Sequence, residues 1–115
     1  MIKEAYCSFE VCKLLKEKGL KLQCLDLTRI WFKDNEKPVT KVTHQMATAW
    51  LREKGLEISI SYGFPFIDGK QVFKYFWRVI KVCGDHLEYP MEEVMSNTYE
   101  EATEAACIYA LENLI

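Results

Sequence analysis

Hydrophobic positions along the chain change period several times, and each change marks a new element. From Ser8 onward, Val11, Cys12, Leu14 and Leu15 fall on one side of a helix, while Lys13, Lys16 and Lys18 keep the other side wet. Ser8 suits an N-cap and Gly19 a left-handed stop, which predicts a helix over about residues 9–18. LKLQCLDL then alternates imperfectly and reads as loop or short strand. TRIWFK reads as a strand, Asp34 to Lys37 as a turn, and Val39 to Val42 as the returning arm of a hairpin.

Thr43 is the next N-cap. Met46, Ala47, Trp50 and Leu51 follow at helical spacing, and Gly55 ends the run. Leu56, Ile58 and Ile60 then alternate strictly with Glu57, Ser59 and Ser61 as far as Tyr62, so one strand face is covered and the other wet. That pattern belongs to an antiparallel sheet. Trp50, Leu56, Ile58 and Ile60 are the expected centre of the core. A fully buried Trp50 would make Trp50→Ala cost roughly 3–5 kcal/mol.

FPFIDGK reads as a connection turning at Asp68-Gly69. Gln71 to Val82 reads as a second long strand, with Phe73, Tyr75, Trp77 and Val79 facing the core. Val72, Lys74, Phe76, Arg78 and Ile80 take its other face. Cys83-Gly84-Asp85 makes a turn, and a short third strand, His86 to Tyr89, ends before Pro90. Thr98 and Glu101 form a capping box that opens a closing helix to about Leu114. Ala102, Ala105, Ala106 and Ala110 let that helix approach a sheet closely, and Glu101, Glu104 and Glu112 form its polar stripe. The expected architecture is one α+β domain over residues 1–115. It is a two-layer sandwich: a small antiparallel sheet with three helices mainly on one face, and no pocket of converging reactive groups.

Composition narrows the function classes. Half the residues are hydrophobic and the net charge is −2, which excludes a disordered polyelectrolyte and gives no global pull toward nucleic acid or anionic lipid. The charge is uneven, since from Asp85 onward there are acids but no Lys or Arg. No apolar leader is expected in MIKEAYCSFE, and no apolar run approaches the roughly 18 residues of a membrane span. Five cysteines (Cys7, Cys12, Cys24, Cys83, Cys107) then read as reduced thiols of a cytoplasmic protein, several buried as small hydrophobes.

Four chemistries compete for these residues. Cys83-x-x-His86 has metal-like spacing, and with Cys7 and Cys12 it would complete a Cys₃His zinc set; the competing reading is a turn thiol beside a surface histidine. A thiol nucleophile would need Cys with His44 or His86, but no orienting group is evident, and His44 reads as a helix-start residue half in water. No catalytic, cofactor or metal residue is therefore assigned, and no enzyme is expected. Lys70, Lys74, Arg78 and Lys81 interleave with Tyr75 and Phe76, and the element order is similar to the αβββα of double-stranded RNA-binding domains. Nucleic-acid binding is thus the alternative reading. Protein–protein association is the leading one, with a protein partner or a second copy seated on Val72, Lys74, Phe76, Arg78 and Ile80 and anchored by Trp31 and Phe32. Against it stands the possibility that residues 20–42 fold over this face.

CSFEVCKLLKEKG, THQMATAWLREKG and TYEEATEAACIYALENLI together resemble a group of short proteins encoded by anaerobic gut bacteria and their prophages. The resemblance covers the three helices and implies a phage or mobile-element accessory protein, with no activity, cofactor or site residue attached. The closing helix is also similar to the antitoxin domain of HicB-type proteins, through its capping box and alanine stripe.

Overall fold

A computed structural model describes residues 6–21 and 30–115. Cys24 and most of LKLQCLDL lie outside the described residues. The order of elements is α1 (Phe9–Glu17), β1 (Ile30–Trp31), β2 (Val39–Thr40), α2 (His44–Glu53), β3 (Leu56–Gly63), β4 (Phe66–Ile67), β5 (Lys70–Gln71), β6 (Lys74–Cys83), β7 (His86–Ser96) and α3 (Tyr99–Asn113). This is an α+β fold built on a three-stranded antiparallel sheet ordered β3-β6-β7.

Each helix begins where its cap predicts. Ser8 Oγ accepts from the Val11 amide, Thr43 Oγ1 from the Met46 amide and Thr98 Oγ1 from the Glu101 amide, each satisfying one free donor of a first turn. Gly19 takes φ 113 after α1, and the Gly19 and Leu20 amides bond back to the Lys16 and Leu15 carbonyls in a Schellman closure. Gly55 takes φ 81 after α2, its amide bonding back to the Arg52 carbonyl at 3.0 Å. Its carbonyl then accepts the Val82 amide at 2.8 Å, so the stop of α2 is stitched to the sheet.

The long strands meet in one unbroken register, Leu56↔Lys81 through Gly63↔Lys74. Leu56, Ile58, Ile60, Tyr75, Trp77 and Val79 therefore share the face on which α3 and α2 lie. Ala102, Ala106 and Ala110 are fully buried along α3, as a helix pressed close to a sheet requires. α1 packs on α3 and β2, completing the helical side with Val11 and Leu15.

Four expectations need correction. The core centres on Leu15, Leu51, Leu56, Val79, Trp77 and Leu111, whereas Trp50 is only half-buried, under Lys54 Nζ at 5.1 Å from its ring. The buried line of α2 is His44, Ala47 and Leu51, so the helix is rotated away from Trp50 and Met46. The second long strand begins at Lys74, since Phe66–Ile67 and Lys70–Gln71 pair as a separate small hairpin and Val72 bonds to the Pro65 carbonyl. The third strand runs through Pro90 to Ser96, 11 residues where His86 to Tyr89 is expected. A proline is tolerated there because β7 is an edge strand and carries two extra residues against β6. One falls between the Val94 and Met91 pairings, where Glu93 takes φ 49, and the other between those of Met91 and Glu88, around Pro90.

Two single-residue tests follow. Trp77→Ala should cost roughly 3–5 kcal/mol, and Trp50→Ala roughly 1–2 kcal/mol, by urea denaturation. Equal losses would contradict this placement of the core.

Candidate functional site

The residues with chemical potential collect where α1, α2 and α3 meet. Tyr6 bridges to Thr43, and the Cys7 amide donates to the Val42 carbonyl at 2.7 Å, so the chain entering α1 runs antiparallel to the chain entering α2. Both helices thus start side by side. Glu104, from the second turn of α3, projects between their starts.

Its carboxylate is well served. Oε1 accepts the Ser8 amide at 2.8 Å and faces His44 Nε2 at 3.0 Å, while Oε2 accepts the Ser8 hydroxyl at 2.8 Å. A carboxylate can only accept, so Nε2 carries the proton in this contact. Burial by itself would raise the Glu104 pKa. The bonds from His44 and from the Ser8 side chain and amide outweigh it, and the net shift is downward. The positive ends of two helix dipoles favour the same charge state. Glu104 is thus no part of a solvated stripe, and His44 is buried rather than half in water.

Thiols surround this carboxylate. The sulfur of Cys7, a ring nitrogen of His44 and a carboxylate oxygen of Glu104 all lie within 4.8 Å of one another. Reactive groups therefore do converge, against expectation. They do so in the interior, since Cys7 and Cys107 are fully buried and Cys12 nearly so. A hydrogen bond with Cys12, burial and the nearby Cys107 and Glu104 all push the Cys7 thiol upward, and burial pushes Cys107 up to about 12. Both are poor nucleophiles in that state. Cys12 donates to the Cys7 carbonyl and accepts the Val42 amide, fixing the strand-like segment to α1.

The Cys₃His set that spacing alone would allow is split by the fold. Cys83 and His86 sit with Glu88 at the exposed β6–β7 turn, apart from Cys7 and Cys12 in the helical interior. Cys7 instead meets His44 and Glu104, residues 37 and 97 positions away in sequence. Sequence spacing does not reveal such a pairing, and Glu104 by itself reads as one more residue of the polar stripe of α3.

The proposed interaction residues fall in two groups. Phe76, Arg78 and Ile80 lie on the sheet face opposite the helices, beside Ser61, Ser59 and Glu57 of β3. Val82, Leu87 and Met95 extend that face and are about half-exposed. Lys74 is bonded to Asn97 Oδ1 and Arg78 to Glu93 Oε1 at 3.5 Å, so neither cation is free. Val72 lies outside the strand, in the link between β5 and β6. Trp31 is turned inward, its indole donating to the Cys7 carbonyl at 2.9 Å beneath Lys41, while Phe32 is exposed. Their hairpin packs on α1, where Lys13–Glu36 and Lys33–Glu10 are surface ion pairs of small value, so Trp31 and Phe32 do not join the sheet face.

A second surface was missed in the sequence. Phe73, assigned to the core, is 43% exposed and gathers Tyr62, Phe64 and Tyr75 at centroid distances of 5.1 to 5.6 Å, with Tyr99 next to Tyr75 at 6.0 Å. These side chains occupy the helix-side face where β3 and β6 run on past the start of α3. The alternation gave their face correctly, but the helix is too short to cover it.

A scan of protein-family models, a search of curated proteins and a search of solved structures each give no match. The likeness to gut-anaerobe and HicB-type proteins rests on the quoted sequence segments alone.

Glu104→Ala strands the Ser8 donors and His44 in a mostly buried site and should cost about 2–4 kcal/mol. The pH dependence has a definite sign. The folded-state pKa of Glu104 lies below its unfolded value, so its contribution is intact above the usual carboxylate range and is lost as pH falls through the folded value. Between about pH 6 and about pH 3 the wild type should therefore lose more stability than Glu104→Gln. Equal losses in urea titrations would contradict the assignment.

Proposed function

We propose that this protein works by binding another protein surface on the open face of its three-stranded sheet. The observation that carries the reading is the apolar stripe Phe76, Ile80, Val82, Leu87 and Met95. The elements that pack on the sheet, α2 and α3, both lie on its other side. An apolar stripe of this kind on a small domain is characteristic of an interface. Phe76 and Ile80 form its centre, and Arg78, with Glu93 Oε1 at 3.5 Å, supplies a charge beside them.

The nucleic-acid alternative finds less support. Lys81 points to the helix side opposite Leu56, Lys74 and Arg78 are engaged within the chain, and the part of the chain after Gly84 is acidic. Catalysis finds little either, because the Cys7 thiol that meets His44 and Glu104 is buried and its pKa is pushed upward. Among the described residues no helix is long and apolar enough to cross a membrane. The described cysteines are unpaired, which suits the reducing cytoplasm. The resemblance of the three helical segments makes a phage or mobile-element accessory role the fitting context.

The double variant Val82→Lys/Met95→Lys should change folding stability by less than about 1 kcal/mol, both positions being half-exposed. It should weaken association at least about tenfold. Light scattering over a concentration series reads a second copy as partner, and affinity capture after nuclease treatment reads a foreign protein. A wild-type chain that stays monomeric and captures no protein would contradict the proposal. Capture abolished by nuclease would favour the nucleic-acid reading.

A further inference from the structure

We propose that Cys7, His44 and Glu104 form a binding site for a single zinc ion at the junction of the three helices, with water as the fourth ligand. The ligand set is chemically apt, since thiolate, imidazole and carboxylate are the three side-chain types that zinc takes. In a tetrahedral site with bonds of about 2.0–2.3 Å, ligand atoms stand roughly 3.3–3.6 Å apart. The three donor atoms already lie within 4.8 Å of one another, and His44 Nε2 and Glu104 Oε1 are 3.0 Å apart. Small side-chain rotations therefore suffice. The Cys12 sulfur stays outside the group, since it donates to the Cys7 carbonyl and accepts the Val42 amide.

Charge argues in the same direction. A Cys7 thiolate and the Glu104 carboxylate carry two negative charges, which a divalent cation cancels while His44 binds as neutral imidazole. Among the described residues, Glu104 has no ionic partner except His44. On binding, the Cys7 proton leaves to solvent and the imidazole proton passes from Nε2 to Nδ1, so one proton is released for these three ligands. The supports around the ligands are in place as well. Ser8 orients the carboxylate through both oxygens, Trp31 Nε1 holds the Cys7 carbonyl, and the Val42 carbonyl holds the Cys7 amide. Entry is from the side of His44 and Glu104, whose side chains retain 11% and 21% exposure.

The site differs from the exposed group Cys83, His86 and Glu88, which lies on one hairpin turn. That group serves as the internal control. The full-length chain, purified without chelator, should contain about one zinc per chain by elemental analysis. Replacement by cobalt(II) should give the thiolate-to-cobalt charge-transfer band and the visible bands of a tetrahedral ion. Cys7→Ser and His44→Gln should abolish both readouts, and Cys83→Ser/His86→Gln should leave them unchanged. Wild-type protein that is metal-free as purified and gives no cobalt spectrum would overturn the proposal, whatever the variants do. So would a spectrum that survives Cys7→Ser and is lost in the hairpin variant.

Discussion

Three helices converge on the carboxylate of Glu104, and most of the helical side is arranged to accommodate it. α3 is buried on two sides, toward the sheet through Ala102, Ala106 and Ala110 and toward α1 through Cys107 and Leu111. A charged residue on such a helix is costly unless every lone pair is served. Ser8 gives it an amide and a hydroxyl, and His44 gives it an imidazole. The same Ser8 oxygen accepts the Val11 amide, so one hydroxyl caps α1 and ties α1 to α3. Removing any member leaves the others unpaired in a low-dielectric setting, which makes the cluster a register pin for the three helices.

The sheet solves a different problem. β6 is central, and β7 would expose a long flat edge if it were regular. Its two extra residues, Pro90 and the left-handed Glu93 distort that edge and blunt pairing with other chains. β7 is also tied to the helical side by Tyr109, whose hydroxyl donates to the Pro90 carbonyl at 3.2 Å. The apolar surface that remains open is thus presented by sheet faces rather than by strand edges. One such area is the stripe around Phe76 and Ile80; the other is the aromatic ledge around Phe73. The stripe consists of residues in regular strands, which gives a partner a rigid platform, whereas Phe73 and Phe64 of the ledge lie just outside β6 and β3.

Local patterns in the chain are a good guide to the elements and a poor one to their meeting points. The caps Ser8, Thr43 and Thr98, the stops Gly19 and Gly55, and the period of Leu56 to Tyr62 act within a few residues, so each is readable without tertiary knowledge. The length of β7 is not, because its bulges depend on pairing with β6, and a proline read locally ends a strand. The rotation of α2 is not either, since Trp50 and Leu51 are equally apolar, and packing against α3 and β3 decides which turns inward. The cluster of Cys7, His44 and Glu104 is the extreme case: its members come from three elements, and the bland reading of each alone is reasonable. Glu104 reads as part of a wet stripe because glutamates on a surface helix usually are.

Coupling between Ser8 and Glu104 is the most direct measure of whether this carboxylate pins the helices together. A double-mutant cycle of Ser8→Ala and Glu104→Gln, read by urea denaturation at neutral pH, isolates that coupling from the loss of the α1 cap. The account predicts an interaction energy of at least about 1 kcal/mol. Losses that add within about 0.3–0.5 kcal/mol would show that the two residues act independently, and would contradict it.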